Sequence, residues 1–445
     1  MATNQEILEN EAQAMAESAR IRYFDMVLDH GRGALLYDVE GKEYIDLLAS
    51  ASSANTGHSH PRVVQAIQEQ AARLIHFTPA YYANTTTSTL FGRLAELAPG
   101  DFPKKVNFGN SGSDANDALI KYARGYTGRP IIISFTGAYH GSTYGSMTLS
   151  GVSLNMARKM GPLLPDIIKR PYPDRHKIRL GETEEDFVDR MWADFIEPFE
   201  NWLPVEEVAA VLIEPIQGDG GIVAAPKAYV QRLYDFCQQN GILFAVDEIN
   251  QGFGRTGKMW AIDNFGIAPD LMTVGKSLAS GMPLSAIIGR AEIMDSLGAP
   301  AHLFTTSGNP VCAAAAHATL DVIRDEKLVE RSAQLGQKAA AFFKKMQQAY
   351  EFVGDVRMYG LNGGIDIVRA TDGRPDPEAT TKIIYKLYQL GVIMISLRGN
   401  ILRFQPPLVI TEEQLELAFN RIEQAFAAQA KGELQLPETD SKIGW

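Results

Sequence analysis

ILFAVDEINQGFGRTG, residues 242–257, is the most informative stretch of this sequence. Its first five residues are all apolar, which is typical of a parallel strand covered on both faces. Asp247 and Glu248 follow directly. A carboxylate at the end of a buried strand is costly unless it is paired, so we expect Asp247 to meet a cation. The glycines match the dinucleotide pattern G-x-G-x-x-G, but they do not follow the strand directly, so a Rossmann site is a minor alternative.

Five further short apolar runs alternate with helical patterns between about residues 104 and 290. They begin at Lys105, Pro130, Ala209, Leu271 and Ser285. This alternation predicts an α/β fold in which helices cover both faces of a mainly parallel sheet. Ligands of such sheets bind beyond the carboxyl ends of the strands, so the residues after each run are the candidates for a site.

The other parts of the chain predict a smaller domain beside this sheet. Residues 1–60 predict a helix and a β-hairpin that pack with the small domain, and residues 61–311 form the large domain. Residues 312–445 predict a small α/β domain. It is expected to begin with one long helix up to about residue 348, followed by strands and two helices.

The charge balance excludes two classes of partner. The 445 residues include 42 Lys and Arg and 53 Asp and Glu, a formal net charge of −11. Such an acidic chain lacks the basic surface that binds nucleic acid or an anionic membrane. It has no spanning apolar run, and its first residues lack the basic and apolar regions of a signal peptide. We therefore expect a cytoplasmic protein that acts on small molecules.

The cysteines and histidines do not predict a metal site. Cys237 and Cys312 share no metal-ligand spacing and are expected to be core residues. No matching carboxylate or cysteine set accompanies His58 and His60, so we expect structural roles for them.

A second strand end carries a candidate phosphate site. The turn GNSGSDA, residues 109–115, opens a helix. Backbone N–H groups and the positive end of the helix dipole favour a phosphate there, beside Gly112 and Ser113. Ser and Asp are also common helix caps, so capping alone is an equal alternative.

Two more strand ends carry a lysine and an acidic turn. Lys276 follows an apolar run, where burial favours the neutral amine that Schiff-base chemistry requires, although a lone lysine is more often a surface residue. Glu214 and Asp219 lie in EPIQGDGG, residues 214–221, where an ion pair and a turn are the simpler interpretations. A phosphate cradle, a buried carboxylate and a desolvated lysine at one sheet edge together predict pyridoxal 5′-phosphate.

These motifs resemble those of the class III pyridoxal-phosphate aminotransferases, which have fold type I. The matching segments are SGSDA at 111–115, YHGS at 139–142, EPIQG at 214–218, DEINQGFGRTG at 247–257, TTSGNP at 305–310 and LRFQPP at 402–407. Within this family the whole chain, including KIGW at 442–445, is similar to amino-acid 2-epimerases of lactic acid bacteria.

The resemblance implies which residues bind the cofactor. The matching positions are Gly112, Ser113, Tyr139, Glu214, Asp247, Asn250, Lys276, Thr305 and Thr306. Tyr139 would stack on the ring, Asp247 would hold the ring nitrogen and Lys276 would form the Schiff base. Thr305 matches a phosphate-binding threonine that the neighbouring subunit donates, which implies a homodimer or a dimer of dimers. Asn250 and Thr306 depart from the family pattern, which commonly has Gln and an aromatic residue there.

The resemblance also implies the reaction and its substrate. The epimerases act on branched-chain and other nonpolar amino acids; the alternative is an ω- or GABA-type aminotransferase. Arg403 matches an arginine that holds a substrate carboxylate, and Ser52 and Tyr144 are expected to line the side-chain pocket. Lys276 would remove the α-proton in either reaction. Inversion also needs a group on the opposite face, for which Asp219 is our candidate, a purely structural turn being the alternative.

Overall fold

The computed structural model describes residues 4–21 and 23–436. The KIGW segment at 442–445, the start of the predicted segment 1–60 and the end of the predicted domain 312–445 lie outside the described residues. In chain order the strands are β1 (Leu28–Arg32), β2 (Leu35–Asp38), β3 (Glu43–Asp46), β4 (Lys104–Gly109), β5 (Ile131–Phe135), β6 (Ile167–Arg170), β7 (Val208–Ile213), β8 (Ile216–Gln217), β9 (Val223–Ala224), β10 (Leu243–Asp247), β11 (Leu271–Val274), β12 (Ser285–Arg290), β13 (Val353–Met358), β14 (Gly363–Ile367), β15 (Val392–Ile393), β16 (Ile395–Leu397) and β17 (Ile401–Phe404).

The helices alternate with these strands. In chain order they are α1 (Asn4–Ala14), α2 (Ala49–Ser52), α3 (Pro61–Arg73), α4 (Thr85–Leu97), α5 (Gly112–Thr127), α6 (Tyr144–Leu149), α7 (Glu184–Asn201), α8 (Lys227–Asn240), α9 (Ala291–Met294), α10 (Pro310–Asp325), α11 (Leu328–Ala349), α12 (Pro377–Gln389) and α13 (Glu412–Ala430). Short 3-10 turns occur between them, including one at Lys276–Ala279.

Residues 62–253 and 258–322 form one compact unit around a seven-stranded sheet. The strand order is β4-β12-β11-β10-β7-β5-β6. Neighbouring strands pair in parallel except at β12, which is antiparallel to both β11 and β4. Each of the six apolar runs forms one of these strands, so the predicted α/β fold with a mainly parallel sheet is confirmed.

Strand β6 was not predicted from the sequence. Its residues IIKR include only two apolar side chains, and none of the four is fully buried. Because β6 lies at the edge of the sheet, it lacks the continuous apolar run that marks the central strands.

Helix α5 is fixed against this sheet by close packing. Leu119 of the helix belongs to a core cluster with Ile132, Leu212 and Ile287, and all four side chains are fully buried. Burying each of these side chains contributes roughly 1.5–3 kcal/mol. The N-terminus of α5 is therefore held in place beside the strand ends.

Of the described residues, 4–21, 23–61, 254–257 and 323–436 form a second unit. Its two four-stranded sheets have the orders β1-β2-β3-β15 and β13-β14-β17-β16. The predicted hairpin is β2 and β3, which pair antiparallel. The single long helix predicted up to about residue 348 is wrong: α10 and α11 are separate, because Lys327 between them has a left-handed backbone with φ of 51°. The predicted boundaries at residues 60 and 311 stay predictions.

Several smaller expectations concern single side chains. Both cysteines are buried free thiols. His58 contacts Asp46 at 2.7 Å and His60 contacts Glu326 at 3.0 Å. Across the described part of the chain, no helix combines the length and apolar character that crossing a bilayer requires.

Candidate active site

The carboxyl ends of five strands bring the predicted residues of the large unit to one edge of its sheet. Strands β4, β5, β7, β10 and β11 all run in the same direction, because β12 reverses between β11 and β4. Asp247 ends β10, Glu214 follows β7, and Lys276 follows β11 after one glycine. A ligand at this edge would meet all three chain segments.

Asp247 is a buried carboxylate whose two oxygens accept from three groups. Its Oδ2 accepts from the amide of Asn116 at 2.8 Å and lies 2.8 Å from Nδ1 of His140, while its Oδ1 accepts from the backbone N–H of Ile249 at 2.9 Å. Asn116 is in turn fixed by the hydroxyl of Thr273, 3.0 Å from its Oδ1. The carboxylate is therefore oriented by a helix, a strand and a loop.

His140 and Asn116 were not assigned roles from the sequence. His140 was part of the YHGS motif, but nothing in the motif shows that its ring meets Asp247, 107 positions later. Its Nε2 is buried and has no hydrogen-bond partner among the described residues. Asn116 is fully buried one turn into α5, and a polar residue on the core side of that helix was the available signal.

Glu214 ties two neighbouring loops together. Its Oε1 accepts from the backbone N–H of Tyr139 at 2.9 Å, and its Oε2 accepts from that of Gly218 at 2.8 Å. Burial raises the pKa of this carboxyl to about 7, although His140 nearby favours the charged form. One buried side chain thus positions both the predicted ring-stacking residue and the turn that carries Asp219.

The start of α5 forms the predicted cradle. Capping is carried out by Ser111 and Asp114, whose side chains each accept from the other's backbone N–H. The backbone N–H groups of Gly112 and Ser113 donate to no acceptor within residues 4–21 and 23–436. Capping therefore uses other residues and leaves the N–H groups of Gly112 and Ser113 available for a phosphate.

Close backbone approach around the cradle explains its glycines. The hydroxyl of Ser113 accepts from the N–H of Ser142 at 3.0 Å. Gly141 has φ of 128°, and a Cβ on it would lie 2.3 Å from that hydroxyl oxygen. A Cβ on Gly112 would lie 2.9 Å from the side chain of Ile249. Larger residues at either glycine would displace the cradle.

Lys276 occupies a strained position beside the cradle. It is half-buried, and its φ of 44° is in the left-handed region that a side chain disfavours. A Cβ on the preceding Gly275 would lie 3.7 Å from Cα of Gly112, so this strand end and the cradle are adjacent. Backbone strain of this kind is common at catalytic positions.

The remaining predicted residues of this unit lie in its loops. Asp219 is half-buried in the turn held by Glu214, and the side chain of Asn250 packs against that turn, 3.0 Å from where a Cβ of Gly218 would be. Thr305 and Thr306 are exposed, and the hydroxyl of Thr306 donates to Asn110 at 3.3 Å. Tyr144 is 61% exposed at the start of α6.

Arg403 and Ser52 belong to the other unit. Arg403 is buried on β17 and donates to Oε1 of Gln405 at 2.5 Å. Ser52 is buried at the end of α2, which is a single left-handed turn: the four residues Ala49–Ser52 have φ between 49° and 69°. A left-handed turn of non-glycine residues costs roughly 1–2 kcal/mol per residue, so other contacts must hold it.

The geometry fits a pyridoxal phosphate. The unpaired N–H groups of α5 suit its phosphate, and the oriented Asp247 suits a protonated ring nitrogen. Lys276 follows the strand beside Asp247, its segment lies next to the cradle, and its amine is the group that would condense with the cofactor carbonyl. No cluster of His, Cys, Asp and Glu that could hold a metal occurs in the described residues.

Known proteins resemble the chain along almost its whole length. The model of the aminotransferase class-III family matches residues 16–426. An isoleucine 2-epimerase of Lentilactobacillus buchneri is 58% identical, covering 99% of this chain and 98% of its own. A leucine/methionine racemase of Thermococcus litoralis is 42% identical, covering 99% of both chains. Among solved structures, the ω-transaminase of Pseudomonas jessenii in complex with PMP is 29% identical, with a TM-score of 0.88. The match covers 96% of this chain and 99% of the transaminase.

Proposed function

This chain belongs to the class-III aminotransferase family, and we propose that it inverts the α-carbon of branched-chain and other nonpolar amino acids, converting L-isoleucine to D-allo-isoleucine. The observation that carries this is the end-to-end similarity to an isoleucine 2-epimerase, followed by a racemase. The transaminase named above is much less similar. The predicted racemase or epimerase is therefore favoured over the aminotransferase alternative.

The cofactor is pyridoxal 5′-phosphate, as the sequence predicted. When bound, it supplies a carbonyl that condenses with the substrate amine and a ring that withdraws electrons from the α-carbon. Gly112 and Ser113 would hold its phosphate, Tyr139 its ring face and Asp247 its ring nitrogen. Glu214 would support the cofactor indirectly, because it fixes the backbone of Tyr139.

Two residues would move the proton. The amine of Lys276 removes the proton from Cα on one face, and the carboxyl of Asp219 returns a proton to Cα on the other. The reverse reaction exchanges these roles, so no net oxidation or reduction occurs and no keto acid is needed. The half-buried position of Asp219 in a turn anchored by Glu214 supports this assignment.

Substrate recognition would fall to the other unit. Arg403 is buried and carries a planar fork that suits an α-carboxylate, and Ser52 would lie at the side-chain pocket together with Tyr144. Small residues along the left-handed turn leave room for a branched aliphatic side chain.

A homodimer, or a dimer of dimers, would complete the site. Thr305 is exposed, and its carbonyl accepts from His76, next to the exposed aromatic residues Phe77, Tyr81 and Tyr82. An apolar surface of this kind is typical of a subunit interface, which would bring Thr305 to a neighbouring phosphate. The cytoplasmic location belongs to the proposal and rests on the sequence alone.

The test is chiral chromatography of the purified enzyme with pyridoxal phosphate and L-isoleucine, without a keto acid. We expect D-allo-isoleucine to accumulate toward an even mixture. If L-isoleucine is consumed only after 2-oxoglutarate or pyruvate is added, the aminotransferase alternative is correct.

A further inference from the structure

Arg255 is one of the largest fully buried side chains of the second unit, and it was not assigned a role from the sequence. Its guanidinium binds three separate chain segments. Nε donates to the hydroxyl of Ser52 at 3.1 Å, and Nη2 donates to the amide oxygen of Asn55. Nη1 donates to the carbonyls of Leu361 and Pro406.

All four acceptors of Arg255 are neutral. No carboxylate lies within ion-pair distance of this guanidinium among the described residues. Burial, and then the positive charge of Arg403 nearby, lower the pKa of Arg255 to about 9, while Asp46 acts in the opposite direction. A buried cation without a carboxylate partner is unfavourable for stability alone, which points to a role in positioning the segments that it binds.

The first element that Arg255 holds is the left-handed turn. Besides the bonds to Ser52 and Asn55, the carbonyls at the two ends of this segment accept from the β17 side: Leu47 from the N–H of Gln405, and Asn55 from that of Leu408, both at 2.8 Å. Arg255 adds side-chain contacts to Ser52 and Asn55 between these two backbone anchors. Its fork therefore fixes the orientation of the Ser52 hydroxyl.

The second element is the support of Arg403. Nε of Arg403 donates to Oε1 of Gln405, and Nε2 of Gln405 donates to Oδ1 of Asn362 at 2.6 Å. Arg255 binds the carbonyl of the residue before Asn362 and the carbonyl of the residue after Gln405. It thus brackets both members of the pair that orients Arg403.

We propose that Arg255 is a positioning residue for recognition of the substrate carboxylate: it sets the left-handed turn with Ser52 and the Asn362–Gln405 support of Arg403 in one arrangement. This rests on the substrate roles proposed for Arg403 and Ser52. Arg255 itself does not contact the reacting atoms. Its fixed fork, which a lysine cannot reproduce, is the property that matters.

Arg357 provides a matched control in the same unit. It is also buried, but it pairs with carboxylates, Asp366 at 2.6 Å and Asp355 at 2.8 Å. Of these two ion pairs, the one with Asp366 connects β13 with β14. Replacing it tests what the loss of any buried arginine does.

The experiment compares Arg255→Lys, Asn55→Ala and Arg357→Lys as holoenzymes. The readouts are kcat and KM for L-isoleucine, the inhibition constant of isovalerate, which has a carboxylate but no amine, the cofactor absorbance and the melting temperature. For Arg255→Lys we expect KM and the isovalerate constant both to rise about tenfold, with kcat changed less than about threefold. Asn55→Ala removes only one contact of Arg255, so KM and the isovalerate constant should each rise only a few-fold.

The contrary results are equally definite. The proposal would be overturned if the inhibition constant of isovalerate were unchanged in Arg255→Lys or, should that variant not fold, in Asn55→Ala. It would also be overturned if this constant rose equally in Arg357→Lys. Arg357→Lys is expected to lower only the melting temperature. If the parent enzyme proves to be an aminotransferase, the proposed function fails, but isovalerate binding still tests Arg255 separately.

Discussion

Asp247 and Arg255 are both buried ionisable side chains, but their hydrogen-bond partners differ in kind. Asp247 is a buried anion at the end of a regular strand, and a histidine and an asparagine are within bonding distance of it. Arg255 is a buried cation that meets only neutral oxygens, beside four residues with left-handed backbone. The first arrangement fixes the carboxyl group that we propose to hold the ring nitrogen of the cofactor. The second uses charge and hydrogen bonds to hold a strained backbone in shape.

If the strand-end region performs the chemistry, its lysine should be indispensable. We expect Lys276→Ala to lower epimerisation by about 10⁴-fold or more, because the group that moves the α-proton is lost. The protein should still fold, with a circular dichroism spectrum like that of the parent, and should lose the absorbance of the lysine-bound cofactor. Appreciable turnover of L-isoleucine by this variant would contradict the assignment.

Asp247→Asn tests the charge in the same region. The amide keeps the shape but cannot hold a protonated ring nitrogen, so kcat should fall by about 10³-fold. Cofactor affinity should change much less, since the cradle at α5 is intact. Kinetics after titration with pyridoxal phosphate separate the two effects. A loss confined to cofactor affinity would mean that Asp247 only helps to bind the cofactor.

Asp219→Asn distinguishes an acid from a turn residue. We expect interconversion to slow by about 10²-fold. In deuterium oxide the α-proton of L-isoleucine should still exchange, because Lys276 is unaffected. Proton NMR measures this exchange, and chiral chromatography measures inversion. If both rates equal those of the parent, Asp219 is structural.

Glu248 tests whether burial alone can tune a carboxyl beside Asp247. It is fully buried and accepts from the N–H groups of Ala261 and Ile262 at 2.8 and 2.7 Å, and burial raises its pKa from 4.5 to about 8. Between pH 4.5 and about 8, Glu248 thus keeps its proton in the folded state and releases it in the unfolded state. Stability from this group is complete below pH 4.5 and falls as the pH rises through 8.

Between pH 5 and pH 7 this group should lower the free energy of unfolding by about 2 kcal/mol. Glu248→Gln should remove that part of the pH dependence, which urea unfolding at the two pH values measures. Identical slopes in the parent and the variant would show that Glu248 remains charged in the folded protein.

The difference between the two regions also explains what the sequence could and could not predict. Continuous apolar runs identify central parallel strands, and the residues after them must share one edge, so the placement of Asp247, Lys276 and the start of α5 at that edge could be predicted. His140 could not be paired with Asp247, nor Arg255 with Ser52, because those contacts join positions 107 and 203 residues apart. The left-handed turn contains no glycine to signal it.

In that turn, glycine substitutions are expected to affect stability in the opposite direction from usual. A glycine usually destabilises a protein, because it enlarges the conformational freedom of the unfolded chain. At Ser50 or Ala51, where φ is 50° and 55°, a glycine would instead relieve strain in the native backbone. The same relief would loosen the hold on Ser52. A search for thermostable variants is therefore expected to select glycines here and to broaden the range of accepted substrates as it does so.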